Sequence, residues 1–85
     1  MELELRIQPR AQKDLAGLPH ADRDRIKLRV EAYAAAPRDP RHDVVALVGT
    51  RSGYRLRVGD WRVIFAVMEG RMDVTRVMHR REAYR

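Results

Sequence analysis

Eighty-five residues are enough for one small domain, since domains commonly have roughly 100–200 residues. We therefore interpret residues 1–85 as a single domain, which excludes a dinucleotide-binding domain, a TIM barrel and a cleft enzyme built from two domains. The chain contains no cysteine, so disulfides, thiolate nucleophiles and cysteine-based metal sites are excluded too. It has no apolar run near the ~18 residues of a membrane span, and its first residues do not resemble a signal peptide. We expect a soluble cytoplasmic protein with no membrane contact.

The charge of the chain is strongly basic and unevenly distributed. Eighteen basic residues against twelve acidic ones give a net charge of +6, and only Lys13 and Lys27 are lysines. Residues 1–43 contain nine basic and eight acidic residues, whereas residues 44–85 contain nine basic and four acidic ones. Arginine has a planar, permanently charged group that fits phosphate and stacks on bases. The second half is therefore the predicted surface for a polyanion, and a basic surface without a function is the alternative.

The first half of the chain predicts a strand followed by two helices. Apolar and polar residues alternate over residues 2–8, as in a half-buried strand. Apolar residues then recur at helical spacing in a short helix that begins near Pro9 and ends around Gly17 to Pro19. A second helix is predicted from about Ala21 to Ala36, before Pro37. Residues 9–36 therefore indicate a helical hairpin.

The second half predicts an antiparallel sheet. Residues 44–48 are a candidate short strand, and three further strands are predicted over residues 54–58, 61–67 and 72–78. Gly59-Asp60 and Glu69-Gly70 separate these three strands as tight turns. The predicted fold class is therefore α+β: an N-terminal strand, a helical hairpin, and a three- to four-stranded antiparallel sheet with the helices on one face.

Three arginines are predicted to share one face of this sheet. Arg55 and Arg57 alternate with apolar residues, so they lie on the same side of their strand, roughly 6.6 Å apart at ~3.3 Å per residue. The tight turn brings Arg62 close to them. Like charges this close repel each other, which favours a bound anion. An exposed sheet face that uses arginine against edge aggregation is the alternative interpretation.

The C-terminal residues form a second basic group that is suited to phosphoryl chemistry. It comprises His79, Arg80, Arg81, Glu82, Tyr84 and Arg85. Histidine moves protons near neutral pH, and arginine stabilises charge on a phosphate in the transition state. The alternative is a frayed basic tail. The three histidines share no metal-ligand spacing, so we predict neither a metal site nor another cofactor.

Three features together resemble the RelE/ParE toxin superfamily. They are the helical hairpin, the segment GYRLRVGDWRVIFAV at residues 53–67, and the ending VTRVMHRREAYR at residues 74–85. The resemblance covers nearly the whole chain and is greatest to the RelE-type messenger-RNA interferases of bacterial toxin–antitoxin modules. It implies a compact toxin fold with an antiparallel sheet and two N-terminal helices on one side.

The resemblance also implies an activity. RelE-like toxins enter the ribosomal A site and cut the messenger RNA without a metal, by attack of the RNA 2′-hydroxyl on the adjacent phosphate. By resemblance, the catalytic set is Arg55, Arg57, Arg62, His79, Arg80 and Tyr84. Four further arginines of the basic second half are predicted to bind RNA: Arg51, Arg76, Arg81 and Arg85. Tyr84 holds or stacks the message in this interpretation, and His79 is the candidate for moving a proton.

The sequence departs from the family pattern at two places. Arginine replaces the lysines that are common at positions 55 and 57, which keeps the charge but makes proton donation harder. The sequence ends one residue after Tyr84, which predicts no C-terminal helix.

Two other functions remain open at this point. ParE-like members of the superfamily poison DNA gyrase and lack the nuclease residues. A non-catalytic, basic RNA-binding module is the other alternative. The resemblance implies three partners: a cognate antitoxin that forms a hetero-oligomer with the toxin, the ribosome, and mRNA.

Overall fold

A computed structural model describes residues 2–83 as five strands and three helices. The elements in chain order are β1 (Glu4–Ile7), α1 (Pro9–Ala16), α2 (His20–Ala35), β2 (Val44–Ala46), β3 (Gly53–Val58), β4 (Trp61–Met68), β5 (Arg71–His79) and α3 (Arg80–Ala83). The predicted α+β architecture is confirmed, and the bounds of the helical hairpin lie within one or two residues of the prediction. Within residues 2–83, no helix is both long and apolar enough to cross a membrane.

The strands form one sheet in the order β1-β5-β4-β3-β2. Strands β2 to β5 are antiparallel neighbours, as predicted, but β1 adds a fifth strand and pairs parallel to β5, with Leu5 opposite Met72 and Ile7 opposite Val74. The helical hairpin is the crossover that allows this pairing, because parallel strands need a long connection. The sheet is therefore larger than predicted, and it is mixed.

The core lies between the helices and one face of the sheet. Ile26 of α2 is buried together with Leu56, Val63, Phe65 and Val74 of the strands. The Phe65 ring packs against the ring of Tyr33 on α2, with the centroids 4.9 Å apart. We call this side of the sheet the helix face, and the opposite side, where Arg57 lies, the open face.

The β3–β4 turn fixes which residues reach each face. Val58 pairs with Trp61, so only Gly59 and Asp60 form the loop. Gly59 has a φ of 59°, which a type II′ turn needs at its first position and which glycine adopts without strain. The predicted hairpin is confirmed, and it sets Arg57 directly opposite Arg62.

A β-bulge in β5 allows both Val74 and Val77, on either side of it, to point into the core. Phe65 pairs with Val74 and Ile64 with Arg76, so Thr75 and Arg76 together face one residue of β4. The extra residue returns Val77 to the helix face, opposite Val63, where it is buried. Without the bulge, the two-residue alternation would turn Val77 outward. The bulge therefore determines which face of the sheet each residue from Val77 to His79 occupies.

Candidate functional site

The three arginines predicted to share a face lie together on the open face. Arg57 pairs with Arg62 across the β3–β4 hairpin, and Arg55 lies two residues earlier on β3. We call Arg55, Arg57 and Arg62 the arginine cluster. They line one concavity of about 180 Å³ with Asp43 and Val45. At about 30 Å³ per water molecule, this space is large enough for a phosphate group.

Arg62 differs from the other two because it is buried. Only 6% of its surface is exposed, although it lies on the open face. Its Nη1 donates hydrogen bonds to the carbonyl oxygens of Gly59 and Trp61, at 2.9 and 3.0 Å. A buried guanidinium held by backbone carbonyls has little freedom to reorient. Arg62 therefore supplies one fixed positive charge to the cluster. Arg57, by contrast, has a side chain that is 62% exposed to solvent.

Asp43 is a member of this site that sequence reasoning did not identify. Its Oδ2 lies 2.8 Å from Arg57 Nε, and its carbonyl oxygen accepts a hydrogen bond from the Arg57 amide at 2.9 Å. The β2–β3 register explains the contact, because Val44 pairs with Leu56 and the next pair along is Asp43 with Arg57. In the sequence, Asp43 belongs to a polar loop, and only the pairing of β2 with β3 reveals its neighbours.

The C-terminal group forms a separate concavity. Its described lining residues are Asp60, His79, Arg80, Arg81 and Glu82. The prediction of no C-terminal helix is wrong, because Arg80–Ala83 form a single helical turn. This turn begins where the Arg80 amide donates to the Asp60 carbonyl oxygen at 2.8 Å, which attaches the end of β5 to the β3–β4 turn. The Arg80 guanidinium is 3.9 Å from the Asp60 carboxylate.

His79 lies on the opposite side of the sheet from the arginine cluster. It pairs with Trp61, which pairs with the buried Val58, and cross-strand partners share a face. The His79 ring meets the Trp61 ring edge-on, with centroids 5.4 Å apart, and its Nδ1 accepts the Arg81 amide at 3.3 Å. The role of His79 in moving a proton stays a prediction, but the described geometry does not bring it to the arginine cluster.

The remaining predicted site residues are dispersed. Arg51 is exposed in the loop before β3, at the opposite end of that strand from the turn. Arg76 forms an ion pair with Asp14 on α1, with Arg76 Nε 2.9 Å from Asp14 Oδ2. Tyr84 and Arg85 lie outside the described residues. The RNA-binding roles of Arg51, Arg76, Arg81 and Arg85 stay predictions.

The histidines have separate partners in the fold. His20 contacts Arg23 and Asp24 on the exposed side of α2, and His42 Nε2 lies 2.7 Å from the carbonyl oxygen of Ala36. Among residues 2–83, no group of three or more histidine, aspartate or glutamate side chains is arranged to hold a metal ion. The titratable side chains that line the concavity of the arginine cluster are those three arginines and Asp43.

Asp14 joins α1 to the bulge of β5. Its Oδ2 accepts hydrogen bonds from Arg76 Nε and from the Val77 amide, both at 2.9 Å. Burial alone would raise the pKa of Asp14, but the hydrogen bonds from Arg76 and Val77 and the positive charges of Arg76 and Arg10 lower it below 3.8. Because the pKa is lower in the folded state, the carboxylate stabilises the fold above pH 3.8. This contribution is lost as the pH falls through the folded-state pKa.

Replacing Asp14 with alanine should lower the free energy of unfolding by about 1–3 kcal/mol at pH 7, because the Val77 amide and Arg76 lose their acceptor. Denaturant unfolding of both proteins measures the difference, which should shrink as the pH is lowered through the folded-state pKa of Asp14. Asp24→Ala is the matched control, since it removes a carboxylate that is 55% exposed and lies 3.0 Å from His20 Nε2 on the surface of α2. An equal effect of both substitutions at pH 7 would contradict the anchoring role of Asp14.

Comparison with known proteins identifies the family. The family model described as the ParE toxin of type II toxin–antitoxin systems, parDE, matches residues 5–84. The chain belongs to the RelE/ParE toxin family. The Methanocaldococcus jannaschii protein RelE1 is 32% identical to this toxin over 84 residues, covering 96% of this chain and 93% of the relative. The toxin RelE3 of the same organism is 34% identical over 74 residues, covering 85% and 84%.

Solved structures of relatives share the fold of this toxin. RelE in the RelB–RelE antitoxin–toxin complex from Methanococcus jannaschii superposes with a TM-score of 0.79 at 29% identity, covering 93% of this chain and 94% of the other. The archaeal RelE–RelB complex from Pyrococcus horikoshii OT3 gives a TM-score of 0.79 at 28% identity, covering 94% and 97%. The family predicted from the arginine-rich strands and the C-terminal segment is therefore confirmed.

Proposed function

We propose that this toxin is a ribosome-dependent endoribonuclease that cuts mRNA in the ribosomal A site without a metal. The observation that carries the proposal is the arginine cluster, in which three arginines line a space large enough for a phosphate group. The messenger backbone enters with one phosphate in this space, and the 2′-hydroxyl of the preceding ribose attacks that phosphate.

In this mechanism the arginines stabilise negative charge on the phosphate and do not transfer protons. Negative charge grows on the phosphate oxygens as the 2′-oxygen attacks, and fixed guanidinium donors stabilise it most where they need no reorganisation. Arg62 is held by two backbone carbonyls and so meets this requirement. Exposed Arg57 and half-buried Arg55 bind and orient the same phosphate. Arg80 and Arg81 contact the neighbouring backbone, and Tyr84 stacks on a base of the message.

The toxin acts in the cytoplasm, where ribosomes are, and a cognate antitoxin holds it inactive in a hetero-oligomer. Two observations support this partner. The RelE proteins of M. jannaschii and P. horikoshii were solved in complex with RelB. A net charge of +6 and the arginine cluster favour an antitoxin segment that carries acidic residues and covers the open face.

Inhibition of DNA gyrase is the second candidate, because the matched family model is that of ParE. The arginine cluster favours the nuclease, because RNA cleavage needs positive charge at the scissile phosphate and this concavity is lined by three arginines.

Purified toxin added to ribosomes that carry a defined message should cut that message, whereas the same RNA without ribosomes should stay intact. The cut should need no metal beyond the magnesium that the ribosomes themselves require. A parallel reaction with gyrase and plasmid DNA tests the second candidate. An intact message together with gyrase-dependent DNA breaks would contradict the nuclease and favour the ParE-like activity.

A further inference from the structure

We propose that Asp43 is the general base that removes the proton from the attacking 2′-hydroxyl. The inference rests on the proposed endoribonuclease activity and assigns a step that the arginine cluster cannot perform. Arginine stays protonated at all physiological pH values, so Arg55, Arg57 and Arg62 can donate hydrogen bonds but cannot accept a proton. The reaction nevertheless has to take a proton from a hydroxyl group.

Among the described residues that line the concavity, Asp43 is the one whose side chain accepts a proton. The others are Val45 and the arginine cluster. His79, the residue first predicted to move a proton, lies on the helix face beside Trp61. A carboxylate is an established general base in enzymes when it lies within hydrogen-bond reach of the hydroxyl.

The strand register places Asp43 on the correct side of the sheet. Asp43 directly precedes Val44, which pairs with Leu56, and its carbonyl oxygen accepts a hydrogen bond from the Arg57 amide at 2.9 Å. It therefore lies opposite Arg57 on the open face. The carboxylate is 2.8 Å from Arg57 Nε, and 49% of the Asp43 side chain is exposed. A message can therefore reach Asp43 and the arginine cluster at the same time.

In RNA, the attacking 2′-hydroxyl lies close to the scissile phosphate. The attacking 2′-hydroxyl and the scissile phosphate are carried on adjacent atoms of one ribose, so a phosphate in the cluster brings the 2′-hydroxyl to the wall of the same concavity. Asp43 lines this concavity together with Val45 and the arginine cluster. The ion pair with Arg57 orients the carboxylate before the message arrives, which reduces the reorganisation that the reaction needs.

The proton and electron balance of the step is simple. The Asp43 carboxylate takes the 2′-hydroxyl proton as the 2′-oxygen forms a bond to phosphorus. The bond between phosphorus and the 5′-oxygen of the next nucleotide breaks, and that oxygen takes a proton from water. The products are a 2′,3′-cyclic phosphate and a 5′-hydroxyl end, and Asp43 returns its proton to solvent. No oxidant, reductant or metal enters the balance.

Asp43→Asn should reduce the single-turnover rate constant for cutting a ribosome-bound message by about 10²–10⁴-fold, the range typical of a general base. Asparagine retains the size of the side chain and an oxygen near Arg57, but it does not accept the proton. Binding of the toxin to programmed ribosomes should change less than threefold. Asp39→Asn is the matched control: it makes the same change of charge in the same loop, at a carboxylate paired with Arg41 and outside the cluster.

A second variant separates a base from a positioning residue. Asp43→Gly should be equally slow, and added acetate should restore part of its cutting rate, since a free carboxylate can take the proton from the vacated space. A merely structural role would not respond to acetate. Cutting by Asp43→Asn within threefold of the natural protein, loss of cutting that follows loss of ribosome binding, or failure of acetate rescue would each overturn the assignment. If the natural protein leaves the message intact, the proposed function itself fails.

Discussion

Replacing Arg62 with alanine should lower the single-turnover rate constant for message cleavage by about 10²–10³-fold, the cost of removing one fixed donor from a transition state. Arg62 is 6% exposed, and its guanidinium donates hydrogen bonds to the carbonyl oxygens of Gly59 and Trp61. Because the folded protein has already oriented this charge, it stabilises the developing negative charge without further reorganisation. Affinity for programmed ribosomes should fall far less, since that affinity is shared among many basic residues.

Arg38→Ala is the matched control for Arg62→Ala. Both substitutions remove one positive charge, but Arg38 is exposed in the loop after α2, outside the concavity of the cluster. Cleavage by Arg38→Ala should stay within a few-fold of the natural protein. Thermal unfolding of the Arg62 variant shows whether it is folded at the assay temperature. Equal losses of cleavage and binding in a folded Arg62→Ala protein would contradict the catalytic role and favour a non-catalytic RNA-binding module.

Replacing Phe65 with alanine should lower the free energy of unfolding by about 3–5 kcal/mol. Phe65 is 1% exposed, and its ring packs against the rings of Tyr33 and Tyr54 at centroid distances of 4.9 and 5.6 Å. The substitution removes these contacts and leaves a cavity between the sheet and α2. Small domains have about 0.05–0.15 kcal/mol of stability per residue, so the loss is a large share of the total for this chain.

Denaturant unfolding followed by circular dichroism measures this effect. Met68→Ala is the matched control, because Met68 lies on the same strand but is 50% exposed. It should change the free energy of unfolding by less than about 0.5 kcal/mol. A loss below about 1 kcal/mol for Phe65→Ala would show that the core does not depend on this ring.

Local patterns in the sequence predicted the elements of the fold well. Alternation over residues 54–58 and the turn at Gly59-Asp60 predicted the β3–β4 hairpin, and this hairpin explains why Arg57 and Arg62 meet. These features depend on neighbours in the chain, because side-chain alternation and turn geometry are local properties.

Features that depend on pairing between strands far apart in the sequence could not be predicted from local patterns. The parallel pairing of β1 with β5 joins residues more than sixty positions apart. The bulge at Thr75 follows from the need to bury Val77, and the nearly complete burial of Arg62 follows from the carbonyls around it. Asp43 reaches Arg57 only because β2 pairs with β3, so a polar loop residue became part of the candidate site.

The chemical groups at the two ends of the cut message show which oxygen attacks the phosphate. Attack by the 2′-hydroxyl predicts that the upstream fragment ends in a 2′,3′-cyclic phosphate, or in the phosphate monoester formed from it by hydrolysis. It predicts that the downstream fragment begins with a 5′-hydroxyl. Mass spectrometry of a short message cut on the ribosome distinguishes these ends. A 3′-hydroxyl together with a 5′-phosphate would mean that water attacks the phosphate, and it would contradict both the arginine-assisted mechanism and the role of Asp43.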